Sequence, residues 1–122
     1  IGLGYVGLPL ARLFSTKYPT IGFDMNQSRV DTLMIGHDAT LEVADELLQD
    51  AICNHGFKCT TSLEDIKDCN FYVVAVPTPV DENNRPDLCP LWDASETVGK
   101  VISWCMNQRY IRVSRKRNVF RL

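Results

Sequence analysis

The chain has 122 residues, enough for one domain at most, and an ordinary apolar share of 45%. It contains neither an apolar run long enough to span a bilayer nor a signal peptide, and no membrane partner is expected. The formal net charge of −2 conceals an asymmetry. All 15 acidic residues precede position 104, whereas Arg109, Arg112, Arg115, Lys116, Arg117 and Arg121 crowd the last stretch without an acid among them.

The first seven residues, Ile1-Gly2-Leu3-Gly4-Tyr5-Val6-Gly7, carry G-x-G-x-x-G behind the stub of an apolar strand. In a dinucleotide-binding turn each glycine has a role. Gly2 allows the tight turn, Gly4 lets a pyrophosphate approach the backbone, and Gly7 lets the helix pack close to the strand. A helix is predicted from Val6 to Ser15, with Pro9 in its first turn and Leu8, Ala11, Leu13 and Phe14 as apolar contacts. Its free N–H groups and positive dipole end would face the phosphates. Because the chain starts inside a strand and without Met, the expectation is that several residues of the first strand are missing.

Thr20 to Asp24 reads as a second strand ending in a carboxylate. Asp24 lies about twenty residues after the turn, where a Rossmann unit places the acid that binds the adenosine ribose. The alternative role is a helix cap, but Asn26 is an equally good cap for a helix over 27–35. Val30, Leu33 and Met34 would form its buried stripe and Gly36 its stop. Residues 37–40 read as a loop. A helix is predicted over 41–53, with Leu41, Ala44, Leu47, Leu48 and Ala51 on one face and a solvated acidic face opposite. Residues 57–60 read as a short strand. Ser62 and Asp65 suggest a capping box before a short helix over 63–67. Residues 71–76 form a continuous apolar run, as expected of a central parallel strand buried on both faces. Pro77-Thr78-Pro79 ends that strand where open α/β sheets bind ligands. A loop over 80–90 precedes a last helix from about Leu91, with Trp92, Ser95, Val98, Val101 and Ile102 on one side.

This order predicts an α/β, Rossmann-like, doubly wound parallel sheet, incomplete at both ends. The odd number of cysteines (Cys53, Cys59, Cys69, Cys89, Cys105), without C-x-x-C spacing, reads as reduced thiols of a cytoplasmic protein with no metal site. His37 and His55 read as surface loop residues.

The motifs taken together resemble the N-terminal NAD-binding domain of the UDP-glucose/GDP-mannose dehydrogenase family, and in particular its bacterial UDP-N-acetylhexosamine 6-dehydrogenases. The resemblance is carried by GLGYVGLPLA (2–11), Gly22-Phe23-Asp24 with Arg29, TSLEDI (61–66), VPTPV (76–80), NRPDL (84–88) and ASETVGK (94–100), and it covers positions 1 to about 103. It implies an enzyme that oxidises C6 of a UDP-sugar from alcohol to carboxylate with two NAD+ in succession, through a cysteine thiohemiacetal and thioester, for polysaccharide biosynthesis. It further implies a homo-oligomeric parent. By this resemblance Gly2, Gly4, Tyr5, Val6 and Gly7 form the pyrophosphate turn, Asp24 is the ribose acid, Arg29 reaches the adenosine side, and Thr78 stands beside the cofactor. A carboxylate at Asp24 favours NAD over NADP, because it repels a 2′-phosphate. The family's catalytic cysteine, lysine and aspartate have no counterparts among these residues, and Cys89 matches no family nucleophile. The chain alone is therefore expected to be inactive and to bind NAD+ and DNA weakly or not at all.

Two other readings remain open on the residues. One is a 6-phosphogluconate- or 3-hydroxyacid-type dehydrogenase domain, against which 76–79 and 84–87 argue. The other is a non-enzymatic nucleotide- or nucleic-acid-binding fragment. The basic tail suggests nucleic acid or membrane, but a reading-frame slip explains it without either partner. Beginning at the third base of the Trp104 codon, permitted codons spell V-Y-E-S-T-V-Y-P-G, the continuation that the resemblance implies. Residues 104–122 are accordingly expected to be an out-of-frame tail without selected structure, and residues 1–103 the partial NAD-binding domain. The DNA sequence across Ser103 and Trp104 tests this.

Overall fold

A computed structural model of the chain describes residues 1–102 and the backbone of 110–113. The elements run α1 (Gly7–Ser15), β1 (Ile21–Phe23), α2 (Gln27–Met34), α3 (Asp45–His55), β2 (Lys58–Thr60), α4 (Leu63–Ile66), β3 (Phe71–Val74), α5 (Cys89–Val101) and β4 (Tyr110–Val113). β1 pairs in parallel with β2, and β3 pairs in parallel with β4. Residues 1–3 join the two pairs. The Ile1 amine donates to the Val73 carbonyl at 2.7 Å, Ala75 N–H donates to the Ile1 carbonyl, and Gly2 N–H donates to the Phe23 carbonyl. The spatial order is therefore β2, β1, residues 1–3, β3, β4. This is the Rossmann order, with the opening residues in the central place.

Two apolar clusters hold the helices. Leu3, Leu8, Val30, Leu33, Leu48, Ala51 and Phe57 form one, joining α1, α2 and α3. Phe23, Ile66, Tyr72, Val74, Ala94, Val98 and Val101 form the other, joining α4 and α5 to β1 and β3. Gly22 belongs to the packing of the first cluster: a Cβ there would come within 2.8 Å of the Leu3 side chain. Burial pushes the Cys59 thiol in that cluster up to about 12, so it is inert at neutral pH.

Several predicted elements shift. The helix expected over 41–53 begins at Asp45 and runs to His55, which places His55 in a helix and not in a loop. Leu41 has φ 55° and is exposed, as is Ala44, because residues 38–44 wrap around a buried carboxylate described below. α5 starts at Cys89, two residues early, with Pro90 in its first turn. Its buried side is Ala94, Val98 and Val101, whereas Trp92 and Ser95 face outward. In α1, Leu13 and Phe14 are exposed and Ser15 is buried. Met34 and Leu47 are likewise exposed, and Phe71 at the start of β3 is about half exposed. The capping box at Ser62 is only half made. Ser62 Oγ accepts from Glu64 N–H, while Asp65 accepts from the Thr60 hydroxyl.

The backbone of 110–113 is extended and paired with β3, so this part of the expected tail adds a strand to the sheet. Ser103 and the rest of the tail, 104–109 and 114–122, lie outside the described residues, and so does Cys105. Among the described residues Cys53, Cys59 and Cys89 are free thiols. No described helix is long and apolar enough to cross a membrane.

Candidate functional site: the glycine turn and the acid beside it

The turn between the opening strand and α1 needs its first and third glycines for different reasons. Gly2 has φ +87°, and a Cβ on it would stand 3.0 Å from the Ala75 carbonyl oxygen. A Cβ on Gly7 would lie 1.7 Å from the Gly2 carbonyl oxygen and 3.3 Å from the Ala75 side chain. The helix thus starts in contact with the turn it leaves. Gly4 differs from both, since a Cβ there would meet nothing within 4 Å. That open side is where a ligand can reach the backbone. Val6 is the N-cap of α1 and supplies no side-chain hydrogen bond; in this first turn Leu8 N–H donates to the Gly4 carbonyl and Pro9 has no N–H, which leaves the N–H groups nearest the turn for a ligand. Tyr5 beside it is exposed.

Asp24 follows β1 and sits against the same turn. Its Oδ2 accepts from Leu3 N–H at 2.8 Å, and its Oδ1 accepts from Asn26 N–H at 3.0 Å. The cap of α2 is Asn26, whose side chain accepts from Arg29 N–H. Asp24 is therefore free of the capping role that competed with ribose binding. A carboxylate has about four acceptor positions, and two N–H groups leave the others open to hydroxyl donors.

The side chain of Arg29, expected to reach the adenosine side, lies against the same turn. Its Nε and Nη2 both donate to the Leu3 carbonyl, at 3.1 and 2.9 Å. Nη2 also lies 2.7 Å from Asp38 Oδ1 and 3.2 Å from Thr40 Oγ1. The third nitrogen, Nη1, is buried and has no hydrogen-bond partner.

Asp38 was read only as part of a loop. It is fully buried, and accepts from Thr40 N–H and hydroxyl and from Glu42 and Val43 N–H, besides pairing with Arg29. Burial by itself would raise its pKa. The bonds from Thr40 and Val43, with the Arg29 guanidinium, outweigh this and hold the carboxyl well below the usual carboxylate range. The signal was present in Asp38-Ala39-Thr40, since an aspartate bonding its own backbone two residues on is a turn former.

Thr78 lies three residues beyond Ala75, which abuts both Gly2 and Gly7, and is half-buried. The backbone around it is held by Asp87 N–H donating to the Pro79 carbonyl at 2.7 Å. A bridge between Val80 and Pro86 closes the following hairpin, inside which Asp81 accepts from Asn83 and Arg85 N–H. Cys89 is exposed, and its hydrogen bond with Asp87 raises the thiol's pKa, which makes it a poor nucleophile.

A cavity of about 830 Å³ reaches the back of the turn, with Gly2, Leu3 and Gly7 in its wall beside Leu10, Phe14, Tyr18 and Ile21 among others. Gly4, Tyr5, Asp24, Arg29 and Thr78 are not in its wall. Much of the rest of the wall precedes β1 and β3, at 18–20 and 68–70, whereas ligands of open α/β sheets lie beyond the carboxyl ends of the strands. The face of the turn at Gly4 and Asp24, not this cavity, is therefore the candidate site.

Comparison with known proteins agrees with this geometry. Residues 1–108 match the model of the UDP-glucose/GDP-mannose dehydrogenase family, NAD binding domain. The chain is 50% identical over 103 residues to protein CapL of Staphylococcus aureus, covering 84% of this chain and 23% of that protein. It is 49% identical over 102 residues to UDP-N-acetyl-D-glucosamine 6-dehydrogenase of Pseudomonas aeruginosa, covering 84% and 24%. Among solved structures it superposes on the UDP-D-ManNAc dehydrogenase of Pyrococcus horikoshii with a TM-score of 0.81 at 30% identity, over 92% of this chain and 27% of that one. The chain spans about a quarter of the length of these relatives. The chain belongs to the UDP-glucose/GDP-mannose dehydrogenase family, and residues 1–108 correspond to its NAD-binding domain.

Proposed function

We propose that the glycine turn holds the diphosphate of NAD, and that the whole protein is a UDP-N-acetylhexosamine 6-dehydrogenase making the uronate for polysaccharide biosynthesis. The observation that carries the reading is the open face at Gly4 beside a carboxylate tied to the same turn. A dinucleotide needs these two features side by side: N–H donors for its diphosphate and an acceptor for its ribose hydroxyls.

In this reading Gly2, Gly4, Tyr5, Val6 and Gly7 shape the diphosphate cradle. Asp24 accepts from the ribose, and Thr78 stands at the carboxyl end of β3 on the cofactor side. NAD supplies the hydride acceptor for the alcohol and aldehyde oxidations. These residues bind and orient it, and the chemistry on the sugar needs groups beyond those present here. The cytoplasm, where nucleotide sugars and NAD meet, is the corresponding location, and the parent is expected to be a homo-oligomer.

Titration of the ¹⁵N-labelled chain with millimolar NAD+, NADP+ and duplex DNA tests the reading. NAD+ should move the amide resonances of residues 2–7 and of Asp24, NADP+ should bind about tenfold more weakly, and DNA should leave them in place. In Asp24→Asn the preference for NAD+ over NADP+ should shrink. Shifts confined to residues 10–21 and 65–73, or none from NAD+, would count against the proposal.

A further inference from the structure

We infer that the cleft behind the glycine turn, between β1 and β3, accepts one further strand: an extended apolar peptide of four residues, lying parallel to both neighbours. The inference does not rest on the cofactor reading. It begins from the sheet. β1 and β3 belong to separate two-stranded ladders, and residues 1–3 join them. The Ile1 amine donates to the Val73 carbonyl and the Ile1 carbonyl accepts from Ala75 N–H, so Ile1 stands opposite Val74. Gly2 N–H donates to the Phe23 carbonyl, which sets Ile1 opposite Phe23 on the other side. The walls of the cleft run on from there along both strands, toward their amino ends. They reach Asn70 on one side and Pro19 on the other. Four positions lie beyond Ile1 on each side, 70–73 and 19–22. A strand of four residues, about 13 Å long, matches both walls.

The two faces of the cleft set the side chains of the occupant. About 830 Å³ lies on the side of α1, against Leu10, Ala11 and Phe14, and about 40 Å³ lies on the opposite side, against Ile66 and Tyr72. Ile21 and Val73 line both, so one cleft passes through the sheet. Successive side chains of a strand point to opposite faces. Ile1 packs against the cluster that holds Ile66 and Tyr72, so the residue placed before it points toward α1. Toward Ile1 the occupant therefore reads small, large, small, large, with β-branched residues as the large ones. Charge favours the parallel direction. Asp65 and Asp68 stand in the wall, and Asp68 lies two residues before Asn70, at the end away from Ile1. A parallel peptide brings its ammonium to these acids and its carboxylate to the Ile1 amine, whereas an antiparallel one meets like charge at both ends. Main-chain bonds to two strands supply affinity, and the unequal faces supply specificity.

Titration of the ¹⁵N-labelled chain with millimolar Ala-Val-Ala-Val tests the inference. Val-Ala-Val-Ala, the same composition in the opposite phase, is the comparison. Ala-Val-Ala-Val should move the amide resonances of Gly2, Ile21, Gly22 and Val73 and slow their exchange with solvent. It should bind about tenfold more tightly than the comparison, which presses its larger side chains into the small face. Nuclear Overhauser contacts should run from the first residue of the peptide to Asn70 and from its last to Val73. No shifts from Ala-Val-Ala-Val, or equal affinity for the two peptides, overturns the inference, and contacts in the reverse order overturn the parallel direction. Should the chain alone be unfolded, the same residues joined to Ile1 decide. Ala-Val-Ala-Val so joined should give a folded chain and Val-Ala-Val-Ala should not, and the same outcome for both overturns the inference.

Discussion

Asp38→Ala is expected to lower the folding free energy by about 3–5 kcal/mol, the loss seen when one member of a buried ion pair is removed. The substitution leaves the Arg29 guanidinium without its counter-charge and strips the acceptor from Thr40, Glu42 and Val43 N–H. Domains of this size have only about 5–15 kcal/mol of net stability, so much of the variant should be unfolded at 37 °C. Urea denaturation followed by circular dichroism measures it. The pH dependence provides a second check. A carboxyl whose folded pKa lies below its unfolded value contributes stability that is complete above that unfolded value, 3.8, and disappears as pH falls below it. The unaltered chain should therefore lose stability from about pH 4 downward. The alanine variant should lose less over the same range, because it no longer has this group to protonate.

The second large effect separates two glycines that look alike in sequence. Gly7→Ala places a methyl group 1.7 Å from the Gly2 carbonyl oxygen, which is backbone and cannot rotate away. The start of α1 must move off the turn, with a loss of about 2–4 kcal/mol as in overpacked or strained sites, together with any NAD+ binding. Gly4→Ala meets nothing within 4 Å, so the apo chain should keep its denaturation midpoint to within about 0.5 kcal/mol. Its methyl occupies the space that the diphosphate would need, and NAD+ affinity should drop about a hundredfold or more. Equal losses of stability for the two variants would mean that the open face at Gly4 is not a ligand face. A paired measurement of midpoint and NAD+ titration distinguishes the cases.

Local signals were legible wherever a short stretch decides its own conformation. The G-x-G-x-x-G turn, the carboxylate after β1, the Asn26 cap and the apolar run of β3 rest on backbone sterics, capping hydrogen bonds and periodicity, which act over a few residues. The helix over 41–53 misled because Leu41, Ala44, Leu47, Leu48 and Ala51 have helical spacing. Residues 38–44 instead satisfy the buried Asp38 with their N–H groups, and the helix begins only after them. The stripe on α5 was right at Val98, Val101 and Ile102 and wrong at Trp92 and Ser95, for a related reason. Trp92 is apolar, but the side of the helix that meets β3 is set by where α5 enters the sheet, and Ala94, Val98 and Val101 face it.

From the sequence alone come the α/β order of the elements, the turn at residues 2–7, the acid at position 24 and the family to which both belong, because these depend on residue type and spacing along the chain. Tertiary structure alone decided which acceptors hold Arg29. Its partners, Leu3 and Asp38, lie 26 residues before it and nine after, and no periodicity joins them. A guanidinium in a fold of low dielectric goes to the acceptors that burial leaves within reach. Which acceptors those are is known only once α2, the turn and the 38–44 loop have been packed together.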